Sequence, residues 1–193
     1  MVLGPMSAQP RGADRFLWVI VAAAAIAVLV VAVARGRLRR PEPQKGAITA
    51  VSLPLLDGTG RSSIAPGRVT VVDFWATWCA PCRVSMPRVQ SIWREYHPRG
   101  VDLYSVDTDD PGAEREMQVH DFLRGNGLEF PVVLDDGSAA SAFAVAVLPT
   151  MAVVDRSGRV VWNHVGVLTA SSERELRSVL DSALSASAAR SGG

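Results

Sequence analysis

An apolar segment runs directly into a pair of closely spaced cysteines, and this junction constrains the fold more than any other part of the chain. The residues Val69–Trp75 read VTVVDFW, a pattern typical of a strand buried on both faces. Cys79 and Cys82 follow at once, and apolar residues recur at helical spacing from Ala80 to Tyr96. The sequence therefore predicts a buried strand, a short loop with a CxxC motif, and a helix.

The chain contains only these two cysteines, and this excludes several uses of a CxxC motif. A disulfide-stapled scaffold needs more cysteines, and a c-type haem site needs a histidine where Arg83 stands. A zinc site needs two further ligands at suitable spacing, which the scattered histidines do not supply. The histidines are His97, His120 and His164. We therefore expect a redox-active dithiol or disulfide with no metal and no other cofactor.

The start of a helix is a suitable place for reactive thiols. The attacking species is a thiolate, and a free thiol with a pKa of about 8.5 is mostly protonated at neutral pH. Unpaired N–H groups and the helix dipole at a helix N-terminus stabilise the anion. We expect Cys79, nearest the helix end, to be the nucleophile, and Cys82, one turn inside on the same face, to resolve the mixed disulfide. Pro81 costs little in the first turn.

A long apolar run precedes this region, where residues 16–34 read FLWVIVAAAAIAVLVVAVA without a charge. At about 1.5 Å per helical residue the run spans roughly the hydrocarbon core of a bilayer, and Trp18 suits the membrane interface. We therefore predict one transmembrane helix that anchors the chain in the lipid bilayer. A cleaved signal peptide is the alternative, because residues 32–34 (AVA) resemble a cleavage site, although the run is longer than such peptides need.

The charge of the chain changes sign after the apolar run. The first 46 residues hold seven basic and two acidic side chains, a net charge of +5, whereas the remainder carries −4. The domain expected over residues 47–184 is therefore mildly acidic and has no nucleic-acid footprint. Residues 1–15 read as an N-terminal flank, 35–46 as a basic linker with prolines, and 185–193 as a flexible tail rich in Ser, Ala and Gly.

Strand and helix patterns alternate across residues 47–184. Besides the Val69–Trp75 strand and the helix after it, strand patterns fall at 48–55, 101–106, 130–134, 151–154 and 159–163, and helical patterns at 113–124, 138–146 and 172–184. Turn signals at 57–60 and 155–158 mark chain reversals. This order predicts an α/β fold with a central mixed sheet flanked by helices.

These motifs resemble the TlpA/ResA group of membrane-anchored thioredoxin-like proteins. The resemblance rests on three stretches, VSLPLLDG from residue 51, FWATWCAPC from residue 74 and VLPT from residue 147. It implies a thioredoxin-like fold with an N-terminal hairpin and a central helix–strand insert around residues 113–134. The resemblance extends over essentially the whole predicted domain.

The resemblance also implies a substrate-binding surface around the cysteines. Pro149 would be a cis-proline that packs against the CxxC motif and presents the backbone of Leu148 to a substrate strand. Trp78, Ala80 and Pro81 would complete this surface beside the cysteines. The predicted binding residues therefore come from two loops that are distant in the sequence.

Two positions depart from the TlpA/ResA group in a linked way. Members of the group commonly carry Asn where this chain has Asp73, and Glu where it has Ser85. Asp73 matches instead the buried acid of thioredoxin itself. A carboxyl buried beneath the cysteines would have a raised pKa and could take the proton of Cys82. We therefore predict that Asp73 is the proton-handling acid, the alternative being a strand-end residue paired elsewhere.

The expected function is that of a thiol–disulfide oxidoreductase that reduces disulfides of exported proteins, with apocytochrome c haem-binding cysteines as the substrate that the resemblance suggests. A membrane thiol carrier would supply its electrons. A disulfide-forming oxidase and a membrane-tethered chaperone or assembly subunit are alternatives, whereas a peroxiredoxin would need Thr at Ala76. The resemblance puts the domain outside the cytoplasm, although two basic residues before the apolar run and five after it favour the opposite topology.

Overall fold

A computed structural model describes residues 18–27 and 50–191 of the chain, with side chains up to residue 186. Residues 18–27 form a helix, α1, with exposed side chains. Within these two described ranges, no helix combines the length and the apolar character that crossing a bilayer requires. The rest of the predicted anchor over 16–34, together with the flank 1–15 and the linker 35–46, lies outside the described residues.

Residues 50–191 alternate strands and helices, as the sequence predicts. In chain order the elements are β1 (Val51–Pro54), β2 (Arg61–Ile64), β3 (Val69–Trp75), α2 (Ala80–Tyr96), a 3-10 helix (His97–Arg99), β4 (Val101–Asp107), α3 (Arg115–Gly125), β5 (Val132–Leu134), α4 (Ser138–Ala142), β6 (Thr150–Val154), β7 (Val160–Val165) and α5 (Ala170–Ser191). β3 and α2 have the bounds that their sequence patterns predict. The predicted strand–CxxC–helix junction is therefore confirmed.

Five strands form one mixed sheet in the order β5–β4–β3–β6–β7. β3 lies at its centre, parallel to β4 and antiparallel to β6. Because β3 and β4 are parallel and in register, Trp75 at the end of β3 lies beside Asp107 at the end of β4. The loops after these strands therefore leave the same edge of the sheet. β1 and β2 form a separate antiparallel hairpin, which confirms the predicted N-terminal hairpin.

Two hydrophobic clusters cover the two faces of the sheet. On one face, side chains of α2, α3 and α5 pack against the strands, and on the other the β1–β2 hairpin and α4 do so. Successive residues of β3 alternate between the clusters, because side chains alternate along a strand. Val71 and Trp75 join the first cluster, whereas Val72 and Phe74 join the second. Every residue of β3 is therefore buried.

Several element boundaries differ from those that the sequence predicts, among them the ends of α4, β7 and α5. α4 ends early at Ala142, and Ala144 just after it has a φ of 51°, a conformation uncommon outside glycine. β7 continues to Val165, because its pairing with β6 extends to Thr150. α5 runs to Ser191 and so includes most of the segment 185–193 that the sequence assigns to a flexible tail. Strand pairing and helix continuation thus set ends that local composition does not reveal.

Candidate active site

The two cysteines lie at the N-terminus of α2 and are joined by a disulfide. Cys79 is the N-cap residue, and its Sγ accepts a hydrogen bond from the backbone N–H of Cys82 at 3.2 Å. Pro81 lies in the first turn, which contains no acidic residue. The helix end therefore offers backbone N–H groups and a positive dipole to Cys79 Sγ. This arrangement can stabilise a thiolate at Cys79.

Both cysteines are buried in the disulfide state, with 3% of Cys79 and 1% of Cys82 exposed. Exposure does not distinguish them, so the assignment of Cys79 as nucleophile depends on its place at the helix end. Their neighbours form the open surface, since Trp78 is 68% exposed and Ala80 and Pro81 are also exposed. These three residues are accessible to a partner, and their contact with a substrate stays a prediction.

The loop before β6 lies at the same end of the sheet as the cysteines. Thr150 pairs with Phe74 in the antiparallel register, so the next pair along places Pro149 opposite Trp75. The Leu148–Pro149 peptide bond is cis, as the resemblance implies. Leu148 is half-buried and contacts the hydrophobic clusters on both faces of the sheet. The fold thus brings the two predicted binding loops to one sheet end.

Asp73 is buried near the centre of β3, on the face that α2 covers. In the register of the sheet it lies between Ser105 of β4 and Met151 of β6. Burial raises the pKa of the Asp73 carboxyl to about 7. None of the described residues forms a hydrogen bond or an ion pair with that carboxyl. The alternative that Asp73 is a strand-end residue paired elsewhere therefore gains no support.

Ser85 is buried in the second turn of α2, where TlpA/ResA-like proteins commonly carry Glu. Its Oγ accepts a hydrogen bond from Leu168 N at 2.9 Å and donates weakly to Pro81 O at 3.5 Å. The hydroxyl therefore holds the loop after β7 against the active-site helix. Because a serine hydroxyl does not titrate near neutral pH, this position does not supply the proton acceptor that Glu would.

Two charged residues that sequence reasoning missed hold the loop before Cys79. The backbone N–H of Thr77 donates to both carboxylate oxygens of Asp109, at 3.2 and 3.1 Å. From the other side, Arg83 donates to Thr77 O at 2.8 Å. The signal for Asp109 was present, since an acidic stretch (DTDD, residues 107–110) directly follows a strand parallel to β3. Parallel pairing brings that stretch beside the CxxC loop.

A buried ion pair supports the same edge of the sheet and was also missed. Arg115 donates to Asp107 Oδ2 at 2.6 Å, to Asp107 O at 2.6 Å and to Asp135 O at 2.8 Å. The carboxylate of Asp135 accepts from the backbone N–H groups of Ala139 and Ala140 at the start of α4. Burial raises the pKa of Asp107 to about 6 against the opposing effect of Arg115. Only the fold makes these partners adjacent.

These groups together suit sulfur chemistry. A thiolate at Cys79, a second thiol at Cys82 and a buried carboxyl at Asp73 lie on one face of the sheet or at its end. Across residues 18–27 and 50–191, no three His, Cys, Asp or Glu side chains cluster as metal ligands would. The arrangement can exchange a disulfide between this chain and another protein through its cysteine pair.

Comparison with known proteins agrees with this chemistry. The family model described as Redoxin matches residues 44–180. The thiol-disulfide oxidoreductase ResA of Bacillus thuringiensis (strain Al Hakam) is 34% identical over 104 residues, covering 53% of this chain and 58% of ResA. The chain thus spans little more than half of that relative. The sporulation thiol-disulfide oxidoreductase A of Bacillus subtilis (strain 168) is 30% identical over 137 residues, covering 69% of this chain and 82% of the relative.

The structural comparison supports the predicted fold. A crystal structure of a thiol:disulfide interchange protein of the thioredoxin family from Chlorobium tepidum TLS matches with a TM-score of 0.60 at 24% identity. The match covers 75% of this chain and 99% of that one, which confirms the thioredoxin-like α/β fold. The sequence relatives confirm the predicted kinship with ResA-like proteins. From the family model over residues 44–180 and these relatives, we conclude that the chain belongs to the Redoxin family.

Proposed function

We propose that this chain is a thiol–disulfide oxidoreductase whose working group is the Cys79–Cys82 pair. The observation that carries the proposal is the disulfide at the N-terminus of α2, at the sheet end that also holds the loop of Pro149. The two sequence relatives are thiol–disulfide oxidoreductases by name, and the family model over residues 44–180 includes the motif. The dithiol and disulfide forms of the pair are the two states of the cycle.

In the reducing direction the cycle starts from the dithiol form. The Cys79 thiolate attacks one sulfur of a substrate disulfide, and the other substrate sulfur leaves as a thiolate. Cys82 then loses its proton and attacks Cys79 Sγ in the mixed disulfide. This step releases the second substrate sulfur as a thiolate and closes the Cys79–Cys82 disulfide. Two electrons thereby pass from the chain to the substrate.

Asp73 is the proposed acceptor of the Cys82 proton. Its side chain is buried on the face of the sheet that α2 and the cysteines cover. A general base works best when its pKa is near the operating pH, and burial raises the pKa of Asp73 to about 7. Ser85 offers no titratable group at the position of the Glu found in related proteins. The carboxyl of Asp73 therefore carries this step.

The proposed substrate is an extended segment of an exported protein that contains a disulfide. Trp78 supplies a large exposed apolar surface next to the nucleophile, and exposed apolar patches commonly mark binding sites. Ala80 and Pro81 extend that surface, and the backbone of Leu148 before Pro149 would pair with the bound segment. Haem-binding cysteines of apocytochrome c fit this description, because they require reduction before they can bind haem.

The proposed location is the cell membrane, with residues 16–34 as the anchor and the catalytic domain outside the cytoplasm. The apolar run over these residues supports the anchor, and a membrane thiol carrier would return electrons to the disulfide. Resistance of the chain to extraction with alkaline carbonate would support the anchor. An alkaline phosphatase fused after Gly193 tests the topology, since it is active only outside the cytoplasm and stays inactive if the basic linker keeps the domain inside.

The reduction potential of the full chain, equilibrated with a thiol buffer, tests the direction of the reaction. Trp78 beside the disulfide provides a fluorescence signal for the redox state. A value near thioredoxin's, about −270 mV, makes the dithiol a good electron donor and supports the reductase. A value near about −120 mV would show a strong oxidant and would replace the reductase by the disulfide-forming oxidase.

A trapping experiment tests the exchange reaction itself. Cys82→Ser leaves the nucleophile but removes the resolving thiol, so mixed disulfides with client proteins should accumulate and identify the clients. Cys79→Ser is the matched control and should trap none. If Cys79→Ser cells keep the normal phenotype whereas changes at Leu148 abolish it, the chain acts as a thiol-client chaperone or assembly subunit and the enzymatic proposal fails.

A further inference from the structure

We propose that Ser105 is a positioning residue for Asp73, whose carboxylate it holds through a hydrogen bond while Cys82 attacks the mixed disulfide. The proposal rests on the function proposed above, in which Asp73 accepts the proton of Cys82. Two observations carry it, the register of β3 and β4 and a buried hydroxyl that has no partner in the disulfide state.

The register places the two side chains next to each other. β3 and β4 are parallel, and Asp73 and Ser105 are direct partners in that pairing. Partners in neighbouring strands lie about 4.8 Å apart and project from the same face of the sheet. For both residues this is the face that α2 covers, because Val71 of β3 and Leu103 of β4 belong to the same cluster as Cys82.

The hydroxyl of Ser105 makes no hydrogen bond to the described residues in the disulfide state. Ser105 is fully buried, and its Oγ has no hydrogen-bond partner among the described residues. A buried polar group without a partner is costly, so each such group in a native fold calls for an explanation. A hydrogen bond formed at another stage of the cycle is that explanation here, since Asp73 beside it is also without one.

A hydroxyl is suited to an acid that gains and loses a proton. Its O–H can rotate, so it donates to a carboxylate and accepts from a carboxylic acid. The side chain of Met151, the partner of Asp73 on the other side, has no N–H or O–H group to donate. The indole Nε1 of Trp75 is also unpartnered, but an N–H cannot accept a hydrogen bond from the O–H of the carboxylic acid, whereas a hydroxyl can. Ser105 is therefore the neighbour whose side chain can donate to the carboxylate of Asp73 and accept from its carboxylic acid.

Charged groups near Asp73 are engaged elsewhere. The next titratable residue on the same face of β4 is Asp107, which Arg115 holds in an ion pair. On α2 the titratable residues in this cluster are Cys82 and Tyr96, and Tyr96, at the far end of the helix, has its hydroxyl bonded to Arg177 O and Asp181 Oδ1. Burial raises the pKa of Asp73 without a contribution from any charged residue of the described chain. Of the two strand partners of Asp73, Ser105 is therefore the one whose side chain can alter this pKa through a direct hydrogen bond.

The test follows the reaction of the reduced full chain, in a mild detergent, with dithionitrobenzoate. Cys79 attacks the reagent and releases one thionitrobenzoate, and Cys82 then attacks the mixed disulfide and releases the second. The pH dependence of the second release reports the acceptor of the Cys82 proton. The chains compared are wild type, Ser105→Ala, Ser105→Thr, Asp73→Asn and the double variant of Ser105→Ala with Asp73→Asn.

We expect Ser105→Ala to raise the midpoint pH of the second release by about one unit, as the loss of one hydrogen bond to a charged group would. The second release then slows about tenfold below the midpoint, while the first release keeps its rate. Ser105→Thr retains a hydroxyl and should restore the wild-type profile. In the Asp73→Asn background, Ser105→Ala should have no further effect.

The outcomes of this experiment distinguish a failure of the Ser105 proposal from a failure of the Asp73 assignment or of the proposed exchange function. An unchanged profile in Ser105→Ala overturns it, and so does an equal slowing with and without Asp73, because that would be a packing effect. An unchanged second release in Asp73→Asn overturns both the Asp73 assignment and this proposal. A wild-type chain that never releases the second thionitrobenzoate overturns the proposed exchange function itself.

Discussion

The backbone N–H of Thr77 donates to both carboxylate oxygens of Asp109, which ties the loop before the active-site disulfide to the end of β4. Trp78 and Cys79 follow Thr77 directly, so this bond fixes the start of the segment that carries the nucleophile. Arg83, one turn into α2, holds the carbonyl of the same residue. The loop is thereby restrained on both sides of one peptide unit.

Removal of this tie should weaken both stability and activity. We expect Asp109→Ala to lower the free energy of unfolding by about 1–3 kcal/mol, because the Thr77 N–H loses its acceptors. Reduction of insulin disulfides should slow severalfold, since the Trp78–Cys79 segment is no longer held. Urea unfolding and an insulin assay measure these effects. Asp110→Ala is the matched control, because Asp110 is exposed, and equal behaviour of the two variants would contradict a positioning role.

The raised pKa of Asp73 predicts a pH-dependent stability. The folded-state pKa is about 7 and the unfolded value about 3.9, so the unfolded chain releases this proton first as the pH rises. The contribution of Asp73 is therefore most favourable below about pH 4, is lost between about pH 4 and 7, and is constant above. The whole loss is on the order of 4 kcal/mol.

Asp73→Asn should remove this dependence. We expect the variant to be more stable than wild type at pH 8 and nearly equal at pH 4, when both are in the disulfide form. Urea unfolding at several pH values gives the difference in the free energy of unfolding between the two chains. The pKa of Asp107 is also raised, but its contribution is the same in both chains and cancels. Parallel stability profiles for the two chains would show that the buried carboxyl does not have a raised pKa.

The ion pair of Arg115 and Asp107 predicts a large loss of stability when it is broken. Arg115→Met should cost about 3–5 kcal/mol, because it leaves a buried carboxylate without its partner. Asp107→Asn in the same chain should recover part of this loss. The surface pair of Arg68 and Asp102, at 2.8 Å, offers the control, since Arg68→Met should cost at most about 1 kcal/mol. Similar losses in both variants would contradict this reasoning.

Because the indole of Trp78 is exposed, we expect its removal to weaken substrate binding without changing the stability of the fold. Trp78→Ala should change the free energy of unfolding by less than about 0.5 kcal/mol, because the side chain is largely exposed. It should slow the reduction of a protein disulfide and leave the reaction with dithionitrobenzoate unchanged. Val161→Ala, on an exposed apolar residue toward the far end of β7, serves as control. An equal effect on both substrates would place Trp78 outside the binding surface.

The central strand and the active-site helix were predictable because their signals are local. The run Val69–Trp75 is long and β-branched, and the spacing of apolar residues in Ala80–Tyr96 has the helical period, so both elements have the predicted bounds. The short α4 and the long β7 were less predictable, because their ends depend on a residue with positive φ and on pairing with β6. Local patterns define elements better than they define where elements stop.

Local patterns in the sequence do not identify the two partners of each supporting contact, because these partners are distant in the sequence. Ser85 meets Leu168 because α2 packs beside the loop after β7. Asp109 meets Thr77 because two parallel strands end together. In the sequence, Ser85 and Asp109 look like any of the many polar residues that lie on the surface.

The sequence by itself determined the redox pair, the order of strands and helices, and the apolar run near the N-terminus, because each is a matter of composition or of short-range spacing. The tertiary structure decided which side chains surround that pair. It paired Asp73 with Ser105 through the parallel register and brought the loop of Pro149 to the end of the sheet from which the CxxC loop leaves. Strand register and helix packing are long-range properties. The cysteine pair is therefore visible in a short stretch of sequence, whereas the side chains that surround it and affect its reactivity are set by the fold.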